Sequence, residues 1–189
     1  MKGEQSQMKK ATAQVGAELK EEKIKEVKAA TENVVKKGLA PKDLMGMSDA
    51  MVEGIYGQAY RLYNTGKYKD ASHLFRLLIM LNGTESKYSM GLAASYHMLK
   101  AYESAVQVYA ICALLDPENP IPHYHSSDCY IQMGDKVSAM IALKMTLERA
   151  GNKPQYATLK DRTTLTIKSL QKEIDKIYKQ IAETSQPIS

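Results

Sequence analysis

Few residues in this chain could do chemistry, and their spacing argues against most of it. The soft ligands and nucleophiles are four histidines and two cysteines. His123 and His125 are the obvious pair. Two residues apart on a helix they point to different faces, whereas a helical zinc site wants ligands four apart on one face. No Cys, Asp or Glu set with ligand spacing joins them, so the sequence predicts no metal. Cys112 and Cys129 fall at helical positions and read as buried thiols in a reducing compartment, not as a disulfide framework. Gly91-Leu92-Ala93 sits inside a helical stretch, so it is no phosphate-cradling loop. No Ser–His–acid or Cys–His arrangement has supporting local context, and His73 and His97 stand singly. The sequence therefore predicts neither an enzyme nor a cofactor. What remains is tyrosine, twelve of them beside one Phe and no Trp. Tyrosine joins a large apolar area to a polar tip, which is the chemistry of recognition.

The elements that must position these rings are set by a period. Gly66, Lys100 and Gly134 are 34 residues apart. The same step links Ala71, Ala105 and Ala139; Phe75, Tyr109 and Leu143; Leu62, Tyr96 and Tyr130; and Ala59, Ala93 and Ser127. Tyr68, Tyr102 and Lys136 nearly keep it. This period and pattern are the signature of the tetratricopeptide helix-turn-helix repeat. Small residues at 59, 93 and 127 and at 71, 105 and 139 let the two helices of a repeat approach. The larger residue at 75, 109 and 143 fills the space before the next repeat. Gly66 and Gly134 supply tight turns with positive φ. Asp116-Pro117 closes the second repeat, and Pro120 and Pro122 open the third, where a missing N–H costs little.

In chain order, residues 1–16 are polar and read as a disordered tail. Residues 17–51 form an N-terminal helical region. In it Leu19, Ile24, Val27, Ala30 and Val34 make one narrow apolar stripe between Ala17 and Lys37. Such a stripe must dock on the repeats, on a second copy or on a partner, so homodimerisation through this helix is one candidate. Ser48 caps the next helix. Three repeats occupy 52–153. Their helices are expected at Val52–Asn64 and Tyr68–Leu81, at Ser86–Leu99 and Tyr102–Leu115, and at Pro120–Met133 and Lys136–Arg149. Residues 154–183 form a long amphipathic helix that caps the apolar end of the array, and 184–189 fray. The fold class is all-α, three tetratricopeptide repeats in a right-handed superhelix with an N-terminal helix and a C-terminal capping helix. No apolar run reaches membrane-spanning length, and no secretory signal opens the chain. The net charge of +5 is dispersed among acidic residues and has little aromatic surface beside it. It reads as solubility with some steering of an acidic partner, not as a nucleic-acid surface.

Arrays of this kind bind through their concave wall, which the first helix of each repeat lines. Counting positions within a repeat places Tyr56, Tyr60 and Tyr63 on that wall, then Met90, Ala94 and His97, then Ile121, Tyr124 and Asp128. An aromatic and apolar trough with a few polar atoms suits an extended peptide. The carboxylate clamp of chaperone-binding repeat domains needs Lys, Asn and Arg at fixed inner positions. Here those positions hold Tyr56, Tyr60, Gly91, Ile121 and His125, so that ligand class does not fit. A second reading stays open, a scaffold or regulator that meets a folded partner through its outer face or terminal helices.

The residues also resemble a known family. Leu44-Met45-Gly46-Met47-Ser48, Ile55-Tyr56, Ala59-Tyr60, Leu62-Tyr63, Gly66-Lys67-Tyr68 and Ala71 look like the class II chaperones of bacterial type III secretion, the SycD/LcrH group. So do Phe75-Arg76, Lys87-Tyr88, Gly91-Leu92, Tyr102 with Ala105, Asp116-Pro117, Asn119-Pro120, Cys129 and Gly134. The pattern is most similar to the chlamydial members and covers about Leu39 to Gly151. The resemblance implies three repeats after an N-terminal helical region, a bacterial cytoplasmic location and no catalysis. It further implies that the chain binds a hydrophobic secreted client, a translocator or a secretion regulator. A client segment with spaced Pro and Leu anchors would lie in the groove, and the family's groove tyrosines correspond to Tyr56, Tyr60 and Tyr63.

Overall fold

A computed structural model describes Glu21, Lys25 and residues 40–184, with the backbone alone at Tyr178 and at 181–184. The polar tail at 1–16, the stripe between 17 and 37 and residues 185–189 lie outside the described residues, apart from Glu21 and Lys25, which are helical. The chain divides into two compact units, one ending at Asp49 and one beginning at Ala50. In the first, α1 (Pro41–Leu44) is a single turn in which the Asp43 carboxylate accepts from the Ala40 N–H at 2.8 Å. Lys42 pairs with Asp49 just beyond it.

The second unit is a run of antiparallel helix pairs. These are α2 (Asp49–Asn64) with α3 (Tyr68–Leu81), α4 (Ser86–Met98) with α5 (Tyr102–Leu115), and α6 (Ile121–Gln132) with α7 (Lys136–Ala150). A short 3-10 turn at Pro154–Tyr156 then leads into α8 (Ala157–Thr184). The three loops inside the pairs are copies of one another. Gly66 N–H donates to Tyr63 O, Lys100 N–H to His97 O and Gly134 N–H to Ile131 O, at 3.0, 2.9 and 3.0 Å. The next residue donates five back in each case, Lys67 to Leu62, Ala101 to Tyr96 and Asp135 to Tyr130, all at 2.9 Å. This is the Schellman ending of a helix, which needs left-handed backbone at its hinge. Gly66 and Gly134 supply it with φ of 78° and 79°, and Lys100 is forced into it at 60°.

Three of the registers that keep the 34-residue step form much of the core. Ala59, Ala93, Ala71, Ala105 and Ala139 are fully buried, and Phe75, Tyr109 and Leu143 are nearly so. Ser127 replaces alanine at no polar cost because its hydroxyl donates to the Tyr124 carbonyl at 2.6 Å. One approach is closer than the rest. A Cβ built on Gly91 would stand 2.3 Å from the Phe75 ring, so α4 reaches α3 only because residue 91 has no side chain. The third repeat is closed by α8. Ile167, Leu170 and Ile174 cover Ala139, Met140 and Leu143, and Lys136 pairs with Glu173 at 2.9 Å. This hides the apolar end that a repeat array leaves open. No described helix is long and apolar enough to cross a membrane.

Candidate functional site

The first helices of the pairs, α2, α4 and α6, carry the expected groove residues one to two turns apart, so each set shares one helix face. Tyr56, Met90 and Tyr124 are equivalent by the repeat, as are Tyr60, Ala94 and Asp128, and Tyr63 and His97. Ile121 holds the position of Glu53 and Lys87, at the start of α6, where its N–H donates to the Asn119 side-chain carbonyl at 3.0 Å.

Two groups of rings form across these helices. In the first, Tyr56 stacks on Tyr60 with centroids 6.3 Å apart and meets Tyr88 at 5.7 Å and Phe75 edge-on at 6.2 Å. Lys87 lies over Tyr56 at 4.6 Å and donates to Glu53 at 2.8 Å, a bridge between equivalent positions of neighbouring repeats. That hydrogen bond holds the Lys87 ammonium above its ordinary pKa. Tyr60 is 54% exposed, while Tyr56 and Tyr63 are half-buried. Tyr63 packs on Tyr68 at 5.4 Å, and burial, with Tyr68 and Tyr60 nearby, raises its phenol pKa.

The second group spans repeats two and three. His97 meets His125 at 6.3 Å, Tyr102 at 5.9 Å and Tyr109 at 6.4 Å, in each case edge to face. His125 stacks on Tyr109 at 5.6 Å and meets Tyr124 at 5.7 Å. Burial, then the neighbouring His97, lowers the pKa of His125, and Asp128 opposes both. Met90 packs against the Ala93, Ala105, Tyr109 and Cys129 cluster and lines a recess of about 200 Å³. Ala94 is half-buried, and Asp128 is exposed. Among the described residues no three His, Cys, Asp or Glu side chains gather where a metal ion could sit.

His123 lines a groove of about 550 Å³ between α5 and α7, with Leu114, Ile141, Met145 and Arg149 around it, while His125 lies in the second ring group. Ring partners that the sequence did not assign to the site include Lys87, Tyr88, Tyr68 and Tyr102, and His125 stood there only as an inner position that does not fit the carboxylate clamp. The signal for one pair was present. Tyr63 and Tyr68 recur one period later as His97 and Tyr102, and both pairs are in ring contact. Nothing in the spacing brings His125 to His97, which lie 28 residues apart and off the period.

Comparison with known proteins agrees with this architecture. The sequence matches the tetratricopeptide repeat over residues 52–82 and again over 96–162. Low calcium response locus protein H of Yersinia pseudotuberculosis is 28% identical over 152 residues, which span 79% of this chain and 90% of that protein. The type III secretion chaperone SycD of Yersinia enterocolitica, solved with a peptide of the translocator YopD, superposes with a TM-score of 0.64 at 28% identity, over 67% of this chain and 96% of that one. PcrH, solved with the chaperone binding region of PopB, superposes with a TM-score of 0.61 at 31% identity, over 64% of this chain and 97% of that one. With its three helix pairs, its ring-lined inner helices and this degree of likeness, the chain belongs to the class II chaperones of type III secretion, the SycD/LcrH group.

Proposed function

We propose that this chain binds an extended apolar segment of a secreted client along the inner faces of α2, α4 and α6, and keeps that client soluble and export-competent in the bacterial cytoplasm. The observation that carries the reading is the row of rings on those three helices, from the exposed Tyr60 through Tyr56 to His97 and Tyr124. Phenol and imidazole faces offer apolar area, and their polar tips can hold a peptide backbone. SycD and PcrH, which share the fold, were solved with translocator segments. A translocator is therefore the client class we assign. Tyr56, Tyr60, Tyr63, Met90, Ala94, His97, Ile121, Tyr124 and Asp128 remain the proposed contact set. Self-association through residues 17–37 belongs to the same proposal.

The test is calorimetry of the full chain with the chaperone-binding region of a translocator. Tyr60→Ala should weaken binding by about 2 kcal/mol, the cost of losing a hot-spot tyrosine. Its melting temperature should stay unchanged, since the side chain is exposed. Unaltered affinity in Tyr56→Ala, Tyr60→Ala and Tyr124→Ala, all folded, rules the trough out.

A second reading is favoured by the groove between α5 and α7. Leu114 is 80% exposed there beside Ile141, and large exposed apolar surface marks interaction sites. A scaffold that meets a folded partner on this face would lose it in Leu114→Asp and keep it in Tyr60→Ala.

A further inference from the structure

The middle of the trough holds polar groups that nothing in the chain uses. The side chains of His97 and His125 meet rings, and among the described residues neither imidazole makes a hydrogen bond. Among the described residues no fully buried side-chain nitrogen or oxygen lacks a partner, so these unpaired imidazole nitrogens keep some access to solvent. Asp128 lies one turn beyond His125 on α6, exposed and without an ion pair among the described residues. The charged and titratable groups around the pair are Tyr102 and Tyr109 from α5, Tyr124 and Asp128 from α6, and each imidazole for the other. None is a lysine or an arginine.

This set has a definite chemical preference. Burial keeps His125 uncharged near neutral pH, so it presents a lone pair to accept a hydrogen bond. An aromatic face beside a carboxylate attracts a cation. A carboxylate in the same place would meet Asp128 and gain no fixed positive charge. We propose that His97, His125 and Asp128, set among Tyr102, Tyr109 and Tyr124, form a subsite of the trough that takes the ammonium or guanidinium group of one basic client residue. The subsite rests on the trough reading above and adds a specificity to it. The apolar anchors supply affinity, and one lysine or arginine fixes their register over repeats two and three.

The experiment is calorimetry of the full chain with synthetic peptides of about ten residues that carry Leu and Pro anchors. One lysine is moved through the interior positions, and each peptide has a glutamine twin and a glutamate twin. At about pH 7.5 one register should bind about tenfold tighter with lysine than with glutamine, given a desolvated cation–aromatic contact and an ion pair. Asp128→Asn and His125→Gln should each remove most of the difference between the lysine peptide and its glutamine twin. Asp128 is exposed, so its variant tests the subsite even if His125→Gln unfolds, and melting curves report on both. Glutamine or glutamate twins that bind as well as lysine in every register overturn the subsite alone, as does an advantage that survives Asp128→Asn. If no peptide of the set binds, the trough reading falls and the subsite with it.

Discussion

Gly91 is the position where one added methyl group should be felt most. An alanine Cβ there would lie 2.3, 2.4 and 2.7 Å from three atoms of the Phe75 ring. Ordinary carbon contacts start at about 3.5 Å, so the ring edge must retreat by roughly 1.2 Å. Phe75 has nowhere to go, because it is 2% exposed and stands edge-on to Tyr56 at 6.2 Å. Overpacking of this kind costs about 1–3 kcal/mol. Against it, Gly→Ala inside a helix returns about 1 kcal/mol of backbone propensity. A clash with three atoms of a stiff ring sits at the upper end of the first range, so the net loss should be about 1–2 kcal/mol. For a unit of this size that lowers the melting temperature by roughly 3–8 °C. The assay is urea denaturation followed by circular dichroism of Gly91→Ala, Phe75→Leu and the double variant. The double variant should be less destabilised than the sum of the two singles, because the shorter side chain makes room for the methyl group. A Gly91→Ala chain as stable as its parent, or a double variant that is strictly additive, refutes the claim that Gly91 sets the approach of α4 to α3.

Lys100→Gly should stabilise the chain by about 0.5–1 kcal/mol, since relief of left-handed strain exceeds the added freedom of the unfolded glycine. Lys100 alone of the three equivalent turn residues has a side chain at positive φ, and a higher urea midpoint checks the prediction. The thiols should be inert in the folded chain. Burial pushes Cys112 up to about 12 and Cys129 up to about 11, and the thiolate is the reactive form. Mass spectrometry after iodoacetamide at about pH 7.5 should find both unmodified when native and both alkylated in denaturant; fast native alkylation of either would contradict its burial.

Much of the architecture was legible because a repeat writes its contacts locally. Ala59, Ala71 and Phe75 and their equivalents keep one step in the sequence and are all buried in the structure. The Schellman turns follow from two glycines placed alike, and the structure extends the motif to Lys100, where the residue type gives no hint. The exposed Tyr60 and half-buried Tyr56 were readable as a face of α2. Their partners Tyr88 and Lys87 belong to the next repeat and were not found.

By itself the sequence determined the number of helix pairs, their turns, the small and large residues buried at the repeated positions and the tyrosine face of α2. These depend on spacing within a helix and on a period, both of which a chain carries without folding. Tertiary structure alone decided which inner residues meet. His97 and His125 are brought to 6.3 Å because α4 and α6 both pack on α5, whose Tyr109 ring meets both imidazoles. That meeting depends on how one helix pair seats on the next, set by the fit of side chains between repeats such as the Phe75 ring against Gly91. Only in that packed arrangement do the two imidazoles meet, with the Asp128 carboxylate near His125.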